Sequence, residues 1–275
     1  MAVQLAHTFI IVGVEDGLAP SHSGGYVQNM PLLLGVNIDH IATLRQARYA
    51  AEPNSPNAEP CPVQAGHDAV AGGADSLTIH VRGDRRHMQD ADALRIREEL
   101  KIPLNLEMGV TEEMVGLALR LKPEFVCLVP ENRMEITTEG GLNVLASFDK
   151  TRMVIARLQD AGIRVSVFID PDLKQVEAAG EACADMIELH TGAFANATGD
   201  AIQTELDRLT AAAKEGRHLQ VNAGHGINYH NIAQILTIPH LAELNIGHSI
   251  IARATRIGLS AAVKEMKGLM ATYGV

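Results

Sequence analysis

Leu219–Ser249, LQVNAGHGINYHNIAQILTIPHLAELNIGHS, holds two short apolar runs, and each stops on a glycine and a histidine just before residues able to start a helix. Parallel strands that feed helices read this way, with the polar cluster marking the carboxyl end of the strand. Upstream the same pattern recurs at NIDH, TIHVR, NLEM, LVPE, FIDP and ELHTG. Dense Val, Ile and Leu predicts eight strands, at Leu32–Asp39, Ser76–Val81, Pro103–Met108, Phe125–Pro130, Arg164–Asp170, Met186–Thr191, Leu219–Gly224 and Glu243–His248. Helical patterns alternate with them, among others at Thr111–Leu121, Leu142–Ala161, Asp172–Cys183, Asp200–Glu215 and Ser249–Thr272, several opening on Thr, Asp or Ser as N-cap. The fold class expected is α/β, a (β/α)8 TIM barrel with additional helices, in which groups scattered along the chain meet at one face. A doubly wound open sheet is the rival. It would usually announce a nucleotide site with GxGxxG after its first strand, whereas the first strand here leads into NIDHIA.

At 275 residues and 47% hydrophobic, the chain is long enough to bury roughly three quarters of its unfolded surface in one core. Aromatic residues make up only 3%, so the core must be aliphatic, as suits a parallel sheet covered by helices. The net charge of −10 and the lack of a long basic block argue against binding nucleic acid through its backbone charge. No apolar run is long enough for a membrane span, and no secretory signal is indicated. Cys61, Cys127 and Cys183 form no CxxC pair and read as free thiols in a reducing cytoplasm. Residues 1–30 lie outside the repeat and precede Met30, so they are expected to be a flexible extension or to follow an upstream start codon, with 31–275 forming a single catalytic domain. Two connections are long, AEPNSPNAEPCP after the first strand and ENRMEITTEGG after the fourth, and long loops on the active face usually carry function.

Residues two apart on a strand share a face. That rule groups Asn37 with Asp39, Thr78 with His80 and Arg82, Asn105 with Glu107, Glu188 with His190, and Asn222 with Gly224. Each taken alone is as readily a polar plug or a helix cap as a functional group. Together with the histidines His40, His80, His190, His225 and His248 at or just past strand ends, they describe a mouth able to shuttle protons. Glu107 ends an otherwise apolar strand, where desolvation would raise its pKa toward that of a general base, and Glu188 has the same placement. A salt bridge to an arginine such as Arg82 is the structural alternative. HTGAF, NAGHGIN and NIGHS offer backbone N–H groups at helix starts for phosphate, with Arg48, Arg82, Arg85, Arg86 and His87 as counter-charges. Strand ends carry no lysine, so an imine would need its amine from a substrate. Neither HExxH nor an HxH after the first strand occurs, which disfavours a catalytic metal.

The segments GVNIDHIATLRQAR, SLTIHVRGDRRHM, LNLEMGVTEEM, CLVPENRMEITTEGGLNV, IELHTG, VNAGHGINYHN and ELNIGHSIIARA closely resemble the pyridoxine 5′-phosphate synthase family, from about Leu32 to the C-terminus. The resemblance implies a cytoplasmic homo-octamer of barrels in the transferase class, acting in vitamin B6 biosynthesis with no metal or organic cofactor. Its reaction joins 3-amino-2-oxopropyl phosphate to 1-deoxy-D-xylulose 5-phosphate, releasing phosphate and water as the pyridine ring closes. Carried over residue by residue, the proton acceptors are His80 and Glu107, the proton donor is His225, and Glu188 stabilises the transition state. Asn37, Arg48, Gly226, Gly247 and His248 would meet the amino-ketone phosphate, and Asp39, His40, Arg82, His87 and Thr137 the sugar phosphate. The resemblance also allows Arg48 to serve a neighbouring subunit's site. Two other readings remain: a metal-dependent barrel hydrolase or lyase, and a barrel that binds a phosphorylated metabolite without turnover.

Overall fold

Each apolar run forms a strand and hands over to a helix. The computed structural model describes residues 31–52, 55–131 and 140–274. In chain order the elements are β1 (Leu33–Asn37), α1 (Asp39–Tyr49), α2 (Pro62–Gly72), β2 (Ser76–His80), α3 (Asp90–Glu99), β3 (Leu104–Met108), α4 (Glu112–Leu121), β4 (Phe125–Leu128), α5 (Phe148–Asp160), β5 (Arg164–Ile169) and α6 (Leu173–Glu181). They continue with β6 (Met186–His190), α7 (Gly192–Asn196), α8 (Ala201–Glu215), β7 (Gln220–Gly224), α9 (Ile232–Ile235), β8 (Leu241–Ile246), α10 (His248–Ile257) and α11 (Leu259–Met270). The strands pair in sequence order, all parallel, and β8 closes on β1, giving the expected (β/α)8 barrel. The 1–30 extension lies outside the described residues.

The strands divide their side chains by parity. Leu34, Val36, Leu77, Ile79, Leu106, Val126, Val167, Ile187, Leu189 and Leu244 form an apolar layer under the helices, each fully or almost fully buried. Burying such a side chain stabilises by about 1.5–3 kcal/mol, so this layer carries the fold. The alternate residues point into the barrel, and most of them are polar. Thr78 Oγ1 donates to Asn245 Oδ1 at 2.9 Å, Asn245 Nδ2 donates to Glu188 Oε2 at 2.7 Å, and Ser76 Oγ donates to Glu243 Oε1 at 2.5 Å. Such side chains fit because two inward positions have none. A Cβ at Gly35 would stand 2.1 Å from Asn245 Oδ1, and one at Gly224 would stand 2.2 Å from Glu188 Oε1.

Several sequence boundaries shift. Asp39 and His248, expected at strand ends, instead open α1 and α10, because the chain leaves extended geometry at Ile38 and Gly247. The helix expected from Leu142 begins only at Phe148, after a short 3-10 turn. Its first residues are tied elsewhere: Gly141 N–H donates to Asp170 Oδ1 and Val144 N–H to Gln175 Oε1. The helix expected over Ser249–Thr272 breaks at Gly258, whose φ of +83° and ψ of 154° suit glycine alone. That break turns α11 back onto α2, where Ser260 Oγ donates to Asp68 O at 2.7 Å.

Gly35→Ala is expected to destabilise the protein by about 1–3 kcal/mol, since its Cβ would collide with hydrogen-bonded groups that cannot withdraw. The midpoint of urea unfolding measures this, and an unchanged midpoint would contradict the crowded-lumen description.

Candidate active site

At the carboxyl ends of the strands lies a cavity of about 680 Å³. Among its lining residues are Asn37, Asp39, His40, His80, Arg82, His87, Glu107, Glu188, His225, Gly226, Gly247 and His248. Sequence reasoning therefore brought together nearly all its candidates. Arg48 does not line this cavity. It sits exposed at the end of α1, with its guanidinium carbon 5.8 Å from the Tyr49 ring centroid. Thr137 lies outside the described residues. Arg85 is also turned away from phosphate duty, because it pairs with Asp90 and Glu113, each at 2.7 Å.

On the β1–β4 side the groups interlock. Asp39 N–H donates to Asn37 Oδ1 at 2.9 Å, and Asp39 Oδ1 accepts the backbone N–H of His80 at 2.8 Å. His80 places Nδ1 3.7 Å from Glu107 Oε2 and Nε2 2.9 Å from Glu131 Oε1. Burial raises the Asp39 carboxyl to about 6, against the opposing pull of His80. Burial, reinforced by the charges of Asp39 and Glu188, holds Glu107 well above the usual carboxyl range. His87 is pushed down to about 3 by burial and by the neighbouring His80, Arg82 and His40. Asp39, His80 and Glu107 each offer one ligand atom, all within 4.8 Å of one another, so among the described residues this trio could hold a divalent ion.

Across the mouth, Glu188 is buried on β6 and raised to about 7 by burial, despite the hydrogen bond from Asn245. His225 follows β7 in the left-handed region, with φ of +76°, an uncommon conformation for a residue with a side chain. Thr191 holds it there, sharing its one O–H between two carbonyls: Oγ1 lies 2.9 Å from Gly224 O and 2.5 Å from His225 O. The threonine of HTGAF thus spends its hydroxyl on shaping the loop, and Ser249 does likewise, donating to Ile227 O at 2.7 Å. His225 is lowered to about 4 by burial and by His190 and His40. His190 packs edge-on against it with ring centroids 5.0 Å apart, and Asp170 Oδ1 lies 2.9 Å from His190 Nδ1. That hydrogen bond keeps Asp170 below its usual range.

Sequence reasoning missed several residues. Asn245 and Phe168 line the cavity, and the parity rule applied to β8 and β5 would have found both. Glu131 sits in LVPE, a cluster recognised as a strand end, yet its acid went unremarked. Arg45 is 3% exposed and grips Asp92 through both terminal nitrogens at 2.6 and 2.7 Å while reaching His87 O, so it anchors the loop that carries His87. Only its helical position could be read beforehand.

Comparison with known proteins adds a family match. Residues 34–272 match the family described as pyridoxal phosphate biosynthesis protein PdxJ. The chain is 59% identical over 239 residues to a pyridoxine 5′-phosphate synthase of Akkermansia muciniphila, covering 86% of this chain and 97% of that protein. It is 52% identical over 242 residues to a pyridoxine 5′-phosphate synthase of Magnetococcus marinus, covering 87% and 97%. Among solved structures it is similar to KGPDC from Streptococcus mutans, with a TM-score of 0.62 at 9% identity over 89% of this chain and 99% of that one. It is also similar to thiamine phosphate pyrophosphorylase from Pyrococcus furiosus, with a TM-score of 0.56 at 15% identity over 87% and 95%. At such low identity these two likenesses speak to the barrel fold alone.

The shifted groups pull stability in opposite directions as pH changes. Glu188, raised to about 7, binds its proton more tightly folded than unfolded, so its contribution is lost as pH rises from about 4.5 to 7. His225, lowered to about 4, does the reverse, and its contribution is lost as pH falls from about 6.5 to 4. Relative to wild type, Glu188→Gln should therefore gain stability, and His225→Gln lose it, as pH rises through those windows. Denaturant unfolding of the three proteins at several pH values measures both slopes, and parallel curves would refute the assignment.

Proposed function

The chain belongs to the family of the pyridoxal phosphate biosynthesis protein PdxJ, and from that premise we propose that it is a pyridoxine 5′-phosphate synthase joining 3-amino-2-oxopropyl phosphate to 1-deoxy-D-xylulose 5-phosphate. One observation carries the chemistry. His80, Glu107, Glu188 and His225 line a single cavity in which burial raises both carboxyls and lowers His225. Carboxyls poised to hold protons beside an imidazole poised to be neutral are suited to repeated proton transfer near neutral pH.

In this reading the substrate amine attacks the sugar ketone, forming the C–N bond, and loss of water gives an imine. Glu107 and His80 take protons from the condensing carbons, and the electron pairs left behind build the ring. Elimination of phosphate uses His225 as the proton donor, the bound phosphate's negative charge favouring the imidazolium that burial alone disfavours. Glu188, hydrogen-bonded to Asn245, stabilises charge that develops in the transition state. The amino-ketone phosphate lies against Gly226, Gly247, His248 and the start of α10, where helix N–H groups favour an anion. Asn37 reaches the same substrate, while Asp39, His40, Arg82 and His87 hold the sugar phosphate, joined by Thr137. Arg48 is exposed and outside the lining of its own cavity, which supports its service to a neighbour in the cytoplasmic homo-octamer that the family resemblance implies. No helix among the described residues is long and apolar enough to cross a membrane.

Prior alignment of two phosphorylated reactants supplies much of the rate, because translational freedom has been surrendered at binding. A metal-dependent hydrolase or lyase is the second reading, and the Asp39, His80 and Glu107 trio is the observation that favours it.

Incubating the purified protein with both substrates is expected to yield pyridoxine 5′-phosphate and inorganic phosphate together, with turnover unaffected by chelator. Failure to form either product from a folded, ligand-binding sample would reject the synthase reading, and chelator-sensitive turnover would favour the metal reading. Glu107→Gln should lower kcat by about 10²–10⁴-fold while binding of each substrate, followed by calorimetry, persists.

A further inference from the structure

We propose that Glu131, just past β4, is a positioning residue for His80: it fixes the imidazole proton on Nε2 and leaves Nδ1, the nitrogen nearer Glu107, as the basic atom. The inference rests on the synthase reading of the cavity and deepens it by naming the atom that takes the proton. Glu131 Oε1 lies 2.9 Å from His80 Nε2, while Nδ1 lies 3.7 Å from Glu107 Oε2. The two nitrogens therefore face different carboxyl groups.

Those two carboxyls differ in kind. Glu131 is built to stay ionised: burial works against its charge, but the hydrogen bond to His80 and the N–H of Gly83 outweigh it and keep it below its usual range. Gly83 N–H donates to Oε2 at 3.1 Å and Gly109 N–H donates to Oε1 at 3.2 Å. Both donors are glycines for a steric reason, since an added Cβ would come within 3.2 Å of Glu131 Oε2 at Gly83 and within 2.9 Å of its carboxyl carbon at Gly109. The loops after β2, β3 and β4 thus converge on one carboxylate. An ionised carboxylate only accepts hydrogen bonds, so Nε2 must supply the hydrogen.

The imidazole is held from its backbone as well, through His80 N–H and Asp39 Oδ1. His80 is thereby constrained in position by Asp39 and in tautomer by Glu131. When Nδ1 removes a proton from a substrate carbon or nitrogen, the bonding electron pair stays on the substrate and the ring becomes an imidazolium facing the Glu131 carboxylate. Nδ1 then returns the proton to a hydroxyl that departs as water, restoring the neutral ring. Sequence gives no direct sign of this pairing, because Glu131 and His80 are 51 residues apart.

The test uses the full-length protein. In 15N-histidine NMR of the wild type without substrate, His80, assigned through its absence in His80→Asn, should show a protonated Nε2 and an unprotonated Nδ1. In Glu131→Gln that preference should weaken, and kcat should fall by about 10–100-fold with KM for both substrates within about threefold, because carboxylates that orient a catalytic imidazole act on turnover more than on binding. Glu131→Asp, which keeps the charge, should recover part of the loss. A wild-type Nδ1–H tautomer, an unchanged kcat in Glu131→Gln, or a loss confined to KM would each overturn the proposal. If Glu131→Gln fails to fold, the wild-type tautomer decides. Wild-type turnover of the two substrates tests the synthase reading alone, so the two ideas fail separately.

Discussion

Much of the barrel interior is filled with hydrogen-bonding side chains, among them Ser76, Thr78, Asn105, Ser166, Glu188, Asn222, Glu243 and Asn245, all taken out of bulk water. A buried polar group without a partner costs about 1–3 kcal/mol, so such a lumen is stabilised wherever its members satisfy one another. Asn245 joins Thr78 to Glu188, and Ser76 holds Glu243. Gly35 and Gly224 supply the volume that these side chains occupy. The apolar layer outside the strands does the work of folding, which frees the inside for groups whose protonation can be tuned.

That division of labour sets the electrostatics at the mouth. Burial is the first cause of the shifts at Asp39, Glu107, Glu188, His87 and His225. Carboxyls rise toward neutrality, whereas these two imidazoles fall and are held in their neutral form. Asp170 and Glu131 depart from the trend, each kept ionised by a hydrogen-bonded histidine and a backbone N–H group. The site thus holds two classes of acid: carboxyls that can exchange protons and carboxylates that hold imidazoles in place.

Most of the fold was legible because the strands are buried on both faces and separated by sharp polar punctuation, from NIDH to NIGHS. The cavity was legible for the same reason, since parity carries Asn37, His80, Glu107 and Glu188 inward once the strands are assigned. What stayed hidden depends on contacts between distant loops. The break at Gly258 lies in a pattern that remains amphipathic on either side of it, and the delayed start of α5 follows from Asp170 and Gln175 capturing backbone donors. Glu131 was invisible as a partner of His80, and Arg45 looked like any basic residue on a helix, because pairing across 51 and 47 residues leaves no local signature. Arg48 matched by sequence yet stands outside the cavity of its own chain.

The fold-back of α11 has a consequence for how the protein is made. β8 pairs with β1, Lys267 reaches Asp75, and the Tyr273 hydroxyl donates to Ile238 O and accepts from Leu241 N–H. The earliest barrel strand to leave the ribosome therefore keeps an unpaired edge until β8 emerges. Pairing between remote parts of a chain is slow to form and aggregation-prone while it waits. α11 acts as a clasp on a ring that cannot close before β8 has emerged, so β1 waits with one edge open while the strands between are made.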